Sequence, residues 1–144
     1  MTNRSVVVDS SVMVKWLSRE GEQHLEQADT LMKDMQQGKI ELYSPELAKY
    51  EVGNVLLQKG LPLVQLKASH ASLYALPIRF VSETKELSEL TVQIAYKSKM
   101  TYYDASFVSL AQLLDGILIT DNVKDQGKAR TATTVPLAGY SRSR

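Results

Sequence analysis

Apolar residues along this chain occur either in short continuous runs or at helical spacing. The run at 5–9 places three consecutive valines before Asp9, and Ile117–Thr120 is almost entirely apolar, so both are predicted to be buried strands. Between them, apolar positions recur every three or four residues, which predicts amphipathic helices. Because strands separated by helices form parallel sheets covered on both faces, the pattern predicts an α/β fold with a central parallel sheet flanked by helices.

The predicted elements form one uninterrupted series. Predicted strands lie at 5–9, 41–43, 78–81, 117–120 and 135–137. Predicted helices lie at 13–17, 22–37, 45–59, 63–74, from about 84 to 95, and 104–114. Ser44 followed by Pro45 is typical of a helix start, with Ser as the cap and Pro in the first turn. The series predicts one domain over 1–140, with a frayed Ser-Arg tail at 141–144.

Composition narrows the class of protein. The 144 residues are 44% hydrophobic and 23% charged, as is usual for a globular domain, and they include no Cys, which excludes disulfides and thiolate metal sites. We expect a cytoplasmic protein, because no apolar run is long enough for a signal peptide or a membrane span. The net charge of +1 predicts no general attraction to nucleic acid, so any RNA binding requires a local positive patch or a metal ion.

Two carboxylates lie at the ends of predicted strands. Asp9 follows the three valines, and Asp121 follows Ile117–Thr120. In open α/β sheets, ligands bind at the carboxyl ends of the strands. Each acid also has a structural explanation, since Asp9 is suited to a helix N-cap and Asp121 precedes Asn in good turn chemistry.

Two further carboxylates interrupt the apolar faces of predicted helices. Glu51 lies between Leu47 and Val55 on one line of a helix, and a Glu is rarely buried there without a partner. The alternative for Glu51 is a position at the rim, where it reaches solvent or a Lys. Asp104 shares a face with Phe107, although the helix dipole also favours an acid in the first turn.

Four carboxylates that converge at one edge of a sheet would repel one another unless a cation neutralised them. Oxygen ligands in a chain without Cys indicate Mg²⁺ or Mn²⁺ rather than zinc. Their combined charge suits cleavage of a phosphodiester with two metal ions. A haloacid dehalogenase is disfavoured, because it requires an Asp where this chain has Ser11.

These residues lie in four segments that resemble the PIN-domain family, especially its VapC toxins. The segments are VVVDSSVMVKWL at 6–17, SPELAKYEVGNVL at 44–56, YYDASFVSLA at 102–111 and ILITDN at 117–122. They occur in the family's order and span nearly the whole chain.

The resemblance implies that Asp9, Glu51 and Asp104 form an acidic triad, with Asp9 and Asp104 as direct metal ligands. It also implies that the hydroxyls of Ser11 and Thr120 lie beside the site. The fourth segment departs from the pattern: the family's acid lies two residues after the Thr, where this chain has Asn122. Asp121 is therefore our predicted fourth acid and third metal ligand, with a neutral oxygen from Asn122 or a weaker second metal site as the alternatives.

The implied activity is Mg²⁺- or Mn²⁺-dependent hydrolysis of RNA, with Glu51 orienting or deprotonating the attacking water. The resemblance further implies a toxin that forms a homodimer and is held by an antitoxin covering its active site. Residues 22–37 and 45–59 are expected docking surfaces. The competing interpretation is a PIN fold without catalysis that binds RNA or protein.

Several other aromatic, histidine and basic residues could suggest RNA contacts or catalysis, and their structural explanations are as follows. Tyr102 and Tyr103 are expected in the core rather than against a base, and Trp16 is expected to pack on the sheet. His24 and His70 are expected at the surface. A set of basic residues fits two interpretations equally well: a positive rim that contacts the phosphate backbone, or a solvated loop. These residues are Lys97, Lys99, Lys124, Lys128 and Arg130.

Overall fold

The computed structural model describes residues 4–129 and 133–141. The strands are β1 (Arg4–Val8), β2 (Ile40–Pro45), β3 (Ile78–Val81), β4 (Ile117–Thr120) and β5 (Thr133–Pro136). The helices are α1 (Ser10–Leu17), α2 (Leu25–Gln36), α3 (Ala48–Gln58), α4 (Leu63–Leu73), α5 (Lys85–Ser98), α6 (Tyr102–Leu113) and α7 (Val123–Gln126), followed by a 3₁₀ turn at Leu137–Gly139. Arg130 and residues 142–144 of the predicted tail lie outside the described residues.

The five strands form one parallel sheet in the order β3-β2-β1-β4-β5, which confirms the predicted α/β fold. Val6, Val7 and Val8 in the central strand are all fully buried. Because successive side chains of a strand point to opposite faces, helices must cover both faces of the sheet at this strand.

The direction in which successive strands are added to the sheet reverses between β1 and β4. The chain leaves β1 toward β2 on one side, and β4 later joins β1 on the other. Gly116 allows this pairing, since a Cβ there would lie 2.3 Å from the carbonyl oxygen of Ser5. Ligands bind at such switch points, beyond the carboxyl ends of the strands.

The predicted helix start at Ser44 and Pro45 is wrong. Both residues belong to β2, where they are paired with Phe80 and Val81 of β3. The buried Ser44 hydroxyl donates to the carbonyl oxygen of Val8 at 2.7 Å, so it joins the ends of β1 and β2 rather than capping a helix. The helix α3 begins later, at Ala48.

The helices that carry Asp104 and Glu51 pack differently. α6 packs against β1, β2 and β4, whereas α3 packs mainly against α1 and α4. The short helix α7 was not predicted. In the part of the chain that is described, no helix is long and apolar enough to span a bilayer.

Candidate active site

Asp9 lies at the carboxyl end of the central strand and is 3% exposed. It is the N-cap of α1, as its structural interpretation predicted, and it accepts a hydrogen bond from the Val12 N–H at 3.4 Å. Ser11 Oγ donates to Oδ1 at 2.5 Å, and Thr120 Oγ1 donates to Oδ2. Burial raises the pKa of the Asp9 carboxyl, although these hydrogen bonds oppose the rise. Ser11 and Thr120 therefore hold both oxygens of Asp9 in a fixed orientation.

Glu51 reaches the same edge of the sheet from the first turn of α3. The side chain is half-buried, and Oε1 accepts a hydrogen bond from Ser10 Oγ at 3.1 Å. Burial raises the pKa of Glu51, and the negative charges of Asp9 and Asp104 raise it further. The three carboxylates thus lie close enough to interact. We call Asp9, Glu51 and Asp104 the acid cluster.

Asp104 is placed by the start of α6. Thr101 caps that helix by accepting a hydrogen bond from the Asp104 N–H at 3.0 Å. Burial raises the pKa of Asp104, and the charge of Asp125 raises it further, while the charge of Lys128 opposes the rise. Asp125 is consequently a fourth carboxylate beside the acid cluster.

Sequence reasoning missed Asp125, which lies in α7. Asn122 Nδ2 donates to Asp125 Oδ2 at 3.2 Å, and the Asn122 N–H donates to Thr120 Oγ1 at 2.8 Å. Asn122 therefore connects Asp125 to the hydroxyl that holds Asp9. A helix of four residues leaves no periodicity that could have marked Asp125 in advance.

The carboxylate of Asp121 takes part in ion pairs. Its Oδ2 lies 3.1 Å from Lys15 Nζ, and its Oδ1 lies 3.1 Å from His24 Nδ1. Its backbone N–H donates to Ser11 Oγ at 3.1 Å. Asp121 thus touches the site through its main chain, while both carboxylate oxygens are bound by nitrogen groups. Its role as a metal ligand stays a prediction.

Lys15 is the centre of this second group of charges and is only 2% exposed. Besides Asp121, Lys15 Nζ contacts Glu22 Oε1 at 3.1 Å, and Lys59 Nζ contacts Glu22 Oε2 at 2.8 Å. Burial alone would raise the pKa of Glu22, but hydrogen bonds from Lys59 and Lys15 outweigh burial and lower it. We call Lys15, Glu22, His24, Lys59 and Asp121 the ion-pair cluster. Its partners are distant in sequence, so no local signal identified it.

Two aromatic expectations also change. Tyr103 is 64% exposed and Tyr102 is 37% exposed, so the prediction that both pack in the core is wrong. They stand in the first turn of α6, where their rings face outward. Trp16 is partly buried against the core, and its indole N–H donates to the Ala28 carbonyl of α2 at 2.9 Å.

The histidines and the lysines near the site differ in exposure. His70 is exposed as expected, whereas His24 is only partly exposed because it pairs with Asp121. Lys97 and Lys99 are exposed. Lys128 lies 3.8 Å from Asp125, so this one member of the proposed positive rim is beside the acid cluster.

Comparison with known families gives one match, described as the PIN domain, over residues 6–129. The chain belongs to the PIN-domain family. A comparison with curated protein sequences finds no significant match.

Solved structures share this PIN fold at low sequence identity. One is VapBC2 from Rickettsia felis bound to a DNA fragment from its promoter (TM-score 0.68, 10% identity, 92% of this chain and 98% of that chain). Another is PAE2754 from Pyrobaculum aerophilum (TM-score 0.66, 19% identity, 92% and 84%). A third is VapC20 from Mycobacterium tuberculosis, a toxin that cleaves the sarcin–ricin loop (TM-score 0.62, 13% identity, 96% and 98%).

The donor set of this PIN domain fits a hard divalent cation. The acid cluster supplies carboxylate oxygens; burial is the main cause of the raised pKa of Glu51, and the charges of Asp9 and Asp104 add to it. Within the described residues, no three His, Asp or Glu side chains are already arranged around a common metal position. Carboxylate oxygens are the ligand type that Mg²⁺ prefers, and this ion is commonly bound through one or two carboxylates with water completing its shell.

Proposed function

We propose that this PIN domain is a Mg²⁺- or Mn²⁺-dependent ribonuclease and the toxin of a toxin–antitoxin pair. One observation carries the proposal: three carboxylates from separate parts of the sequence lie near the switch point of the sheet, the charges of Asp9 and Asp104 act on Glu51, and burial raises the pKa of all three. Such a cluster is costly for a fold to maintain, and perturbed carboxyl groups in one place are typical of a functional site.

Asp9 and Asp104 are the proposed direct ligands of the ion, with a fourth acid beside them. Asp121 is the fourth acid predicted from the sequence, but its carboxylate is paired with Lys15 and His24, which favours Asp125. A bound divalent ion would polarise the phosphate and lower the pKa of a water molecule.

The protein's own groups would orient the reaction. Ser11 and Thr120 keep the oxygens of Asp9 directed by hydrogen bonds, and Ser10 does the same for Glu51. Glu51 is the proposed base: it takes the proton of the water that attacks phosphorus, and its raised pKa makes it a better proton acceptor at neutral pH.

The shared fold also supports a protein partner. Structural relatives include the VapBC2 complex and a toxin–antitoxin complex from Klebsiella pneumoniae (TM-score 0.66, 18% identity, 92% and 97%). By analogy we propose an antitoxin that covers the acid cluster, and a homodimer of this chain. Light scattering of the purified protein tests the dimer, and a single monomeric species would contradict it.

The test of the activity is cleavage of a mixed pool of single-stranded RNA with Mg²⁺, with Mn²⁺ and with EDTA. We expect cleavage that requires the metal and that falls by about 100-fold or more in Asp9→Asn and Asp104→Asn, because several kcal/mol of charge stabilisation are lost. Asp115→Asn is the matched control. Asp115 is exposed before β4, at the opposite edge of the sheet, and its φ of 52° suits Asn equally well.

Equal cleavage by the wild type and both acid variants would contradict the assigned site. An absence of cleavage by folded, antitoxin-free protein would favour the competing function, a PIN module that binds RNA or protein without catalysis. In that case, thermal unfolding with Mn²⁺ should show no stabilisation by the metal.

A further inference from the structure

A small cavity opens between the ends of two strands and the start of α6, the helix that carries Asp104. Its volume is about 200 Å³, and its walls include Pro45 at the end of β2, Val81 at the end of β3, and Leu87. Tyr102 and Tyr103 complete it from the first turn of α6. The residue after Tyr103 in α6 is Asp104, a proposed metal ligand.

The walls of this cavity are mainly apolar. Tyr103 is 64% exposed, which leaves a ring available at the surface. The Tyr102 ring is held in place by its hydroxyl, which donates a hydrogen bond to Glu83. The hydrogen bond to Glu83 raises the pKa of Tyr102 to about 12, so the hydroxyl remains a donor at neutral pH.

Two carboxylate residues, Glu46 and Glu83, are among the polar residues that line the cavity. Glu46 already accepts from Lys49 Nζ and Glu83 from the Tyr102 hydroxyl, and an ionised carboxylate has further acceptor positions. A planar aromatic ligand with an amino group at its edge satisfies both features: its face stacks on tyrosine, and its amino group donates to a carboxylate.

We infer that this cavity receives an unpaired nucleobase of the RNA, stacked on Tyr103 and with its exocyclic amino group directed to Glu83 or Glu46. The inference rests on the proposed function, in which the phosphodiester is held beside Asp104. Single-stranded RNA is commonly recognised through bases that are turned out onto aromatic side chains. Adenine, guanine and cytosine carry the required amino group, and uracil does not.

The test is an NMR titration of the metal-free full chain with AMP, GMP, CMP, UMP and ribose 5-phosphate, followed at the amide signals of 102–106. We expect shifts with the three amino-bearing nucleotides, weaker shifts with UMP, and none there with ribose 5-phosphate. Tyr103→Ala should weaken nucleotide binding by about 5- to 100-fold, the range measured for loss of one base–aromatic stack. Tyr103→Phe should retain binding, because it retains the ring.

Tyr96→Ala is the control, since Tyr96 is 86% exposed on α5 and does not line the cavity. The inference would be overturned if the signals of 102–106 did not move, or if ribose 5-phosphate moved them as much as the nucleotides do. It would also be overturned if Tyr103→Ala bound nucleotides like the wild type, or if UMP bound as tightly as CMP. Thermal unfolding of Tyr103→Ala establishes that it is folded.

An RNA cleavage assay distinguishes a failure of this inference from a failure of the proposed function. If RNA is cleaved, Tyr103→Ala should raise KM and change kcat little; unchanged KM and cut sites would overturn the base site alone. If nucleotides bind at 102–106 but RNA is never cleaved, the base site stands and the nuclease proposal fails.

Discussion

The acid cluster and the ion-pair cluster meet at Ser11, yet the pKa values of Glu51 in the first and Glu22 in the second are shifted in opposite directions. Ser11 donates to Asp9 and accepts from the Asp121 N–H, so the two regions share one hydroxyl. Burial raises the pKa values of Asp9 and Glu51, and the charges of Asp9 and Asp104 raise that of Glu51 further. In the second, Lys59 and Lys15 lower the pKa of Glu22.

The difference separates acids that support the fold from acids available for chemistry. A carboxylate already paired with a lysine gains little from a metal ion, whereas buried carboxylates that lie close to one another gain more. Sequence position alone would assign Asp121 to the chemistry, because it ends β4 as Asp9 ends β1. The contacts of Asp121 with Lys15 and His24 favour a supporting role instead.

The largest expected effect comes from removing the cation at the centre of the ion-pair cluster. Lys15→Met leaves the partly exposed carboxylates of Glu22 and Asp121 without their shared, buried partner, and we expect the free energy of unfolding to fall by about 2 kcal/mol. Urea denaturation measures this change. Lys67→Met, at an exposed position of α4, should alter stability little. A loss of less than about 1 kcal/mol for Lys15→Met would show that the cluster does not support the fold.

The second largest expected effect, on RNA cleavage, distinguishes Asp125 from Asp121 as the fourth acid. Asp125→Asn should reduce metal-dependent RNA cleavage by about tenfold, since it removes a charge beside Asp104. Asp121→Asn should reduce cleavage less at the same metal concentration. The comparison uses initial rates of both variants on one RNA. The reverse order would restore Asp121 as the fourth acid.

The smallest effect is a dependence of stability on pH. The pKa of Glu22 is lowered in the folded protein, so its ion pairs stabilise the fold above the ordinary value of 4.5 and are lost as pH falls through the lowered pKa. The wild type should therefore exceed Glu22→Gln in stability at neutral pH by less than about 1 kcal/mol, and this advantage should vanish in acid. Urea denaturation at several pH values measures the difference. An advantage that grew in acid would contradict the assigned sign.

Much of the fold follows from local pattern. The valines of β1 and the apolar β4 are recognisable because strands buried on both faces need continuous apolar runs. Glu51 and Asp104 are recognisable because each interrupts a helical face. Ser44 is misleading for the same local reason: Ser before Pro is typical of a helix start, and only the partner at Val8 shows that its hydroxyl joins two strands.

The unpredicted features depend on contacts between distant residues. Lys15 has the spacing of a core position in α1, but its partners Glu22 and Asp121 are brought to it by a loop and by another strand. The exposure of Tyr103 depends on how α6 meets the ends of β2 and β3. No periodicity within a single segment contains this information.

The central claim is that the acid cluster, and not the ion-pair cluster, binds the divalent ion. Electron paramagnetic resonance of free Mn²⁺ measures this directly, because the signal of the free ion decreases as the protein binds it. We predict that Asp9→Asn and Asp104→Asn each weaken Mn²⁺ binding by at least about tenfold, while Asp121→Asn stays within about twofold of the wild type. Wild-type affinity in Asp9→Asn and Asp104→Asn, or an equal loss in Asp121→Asn, would contradict the account.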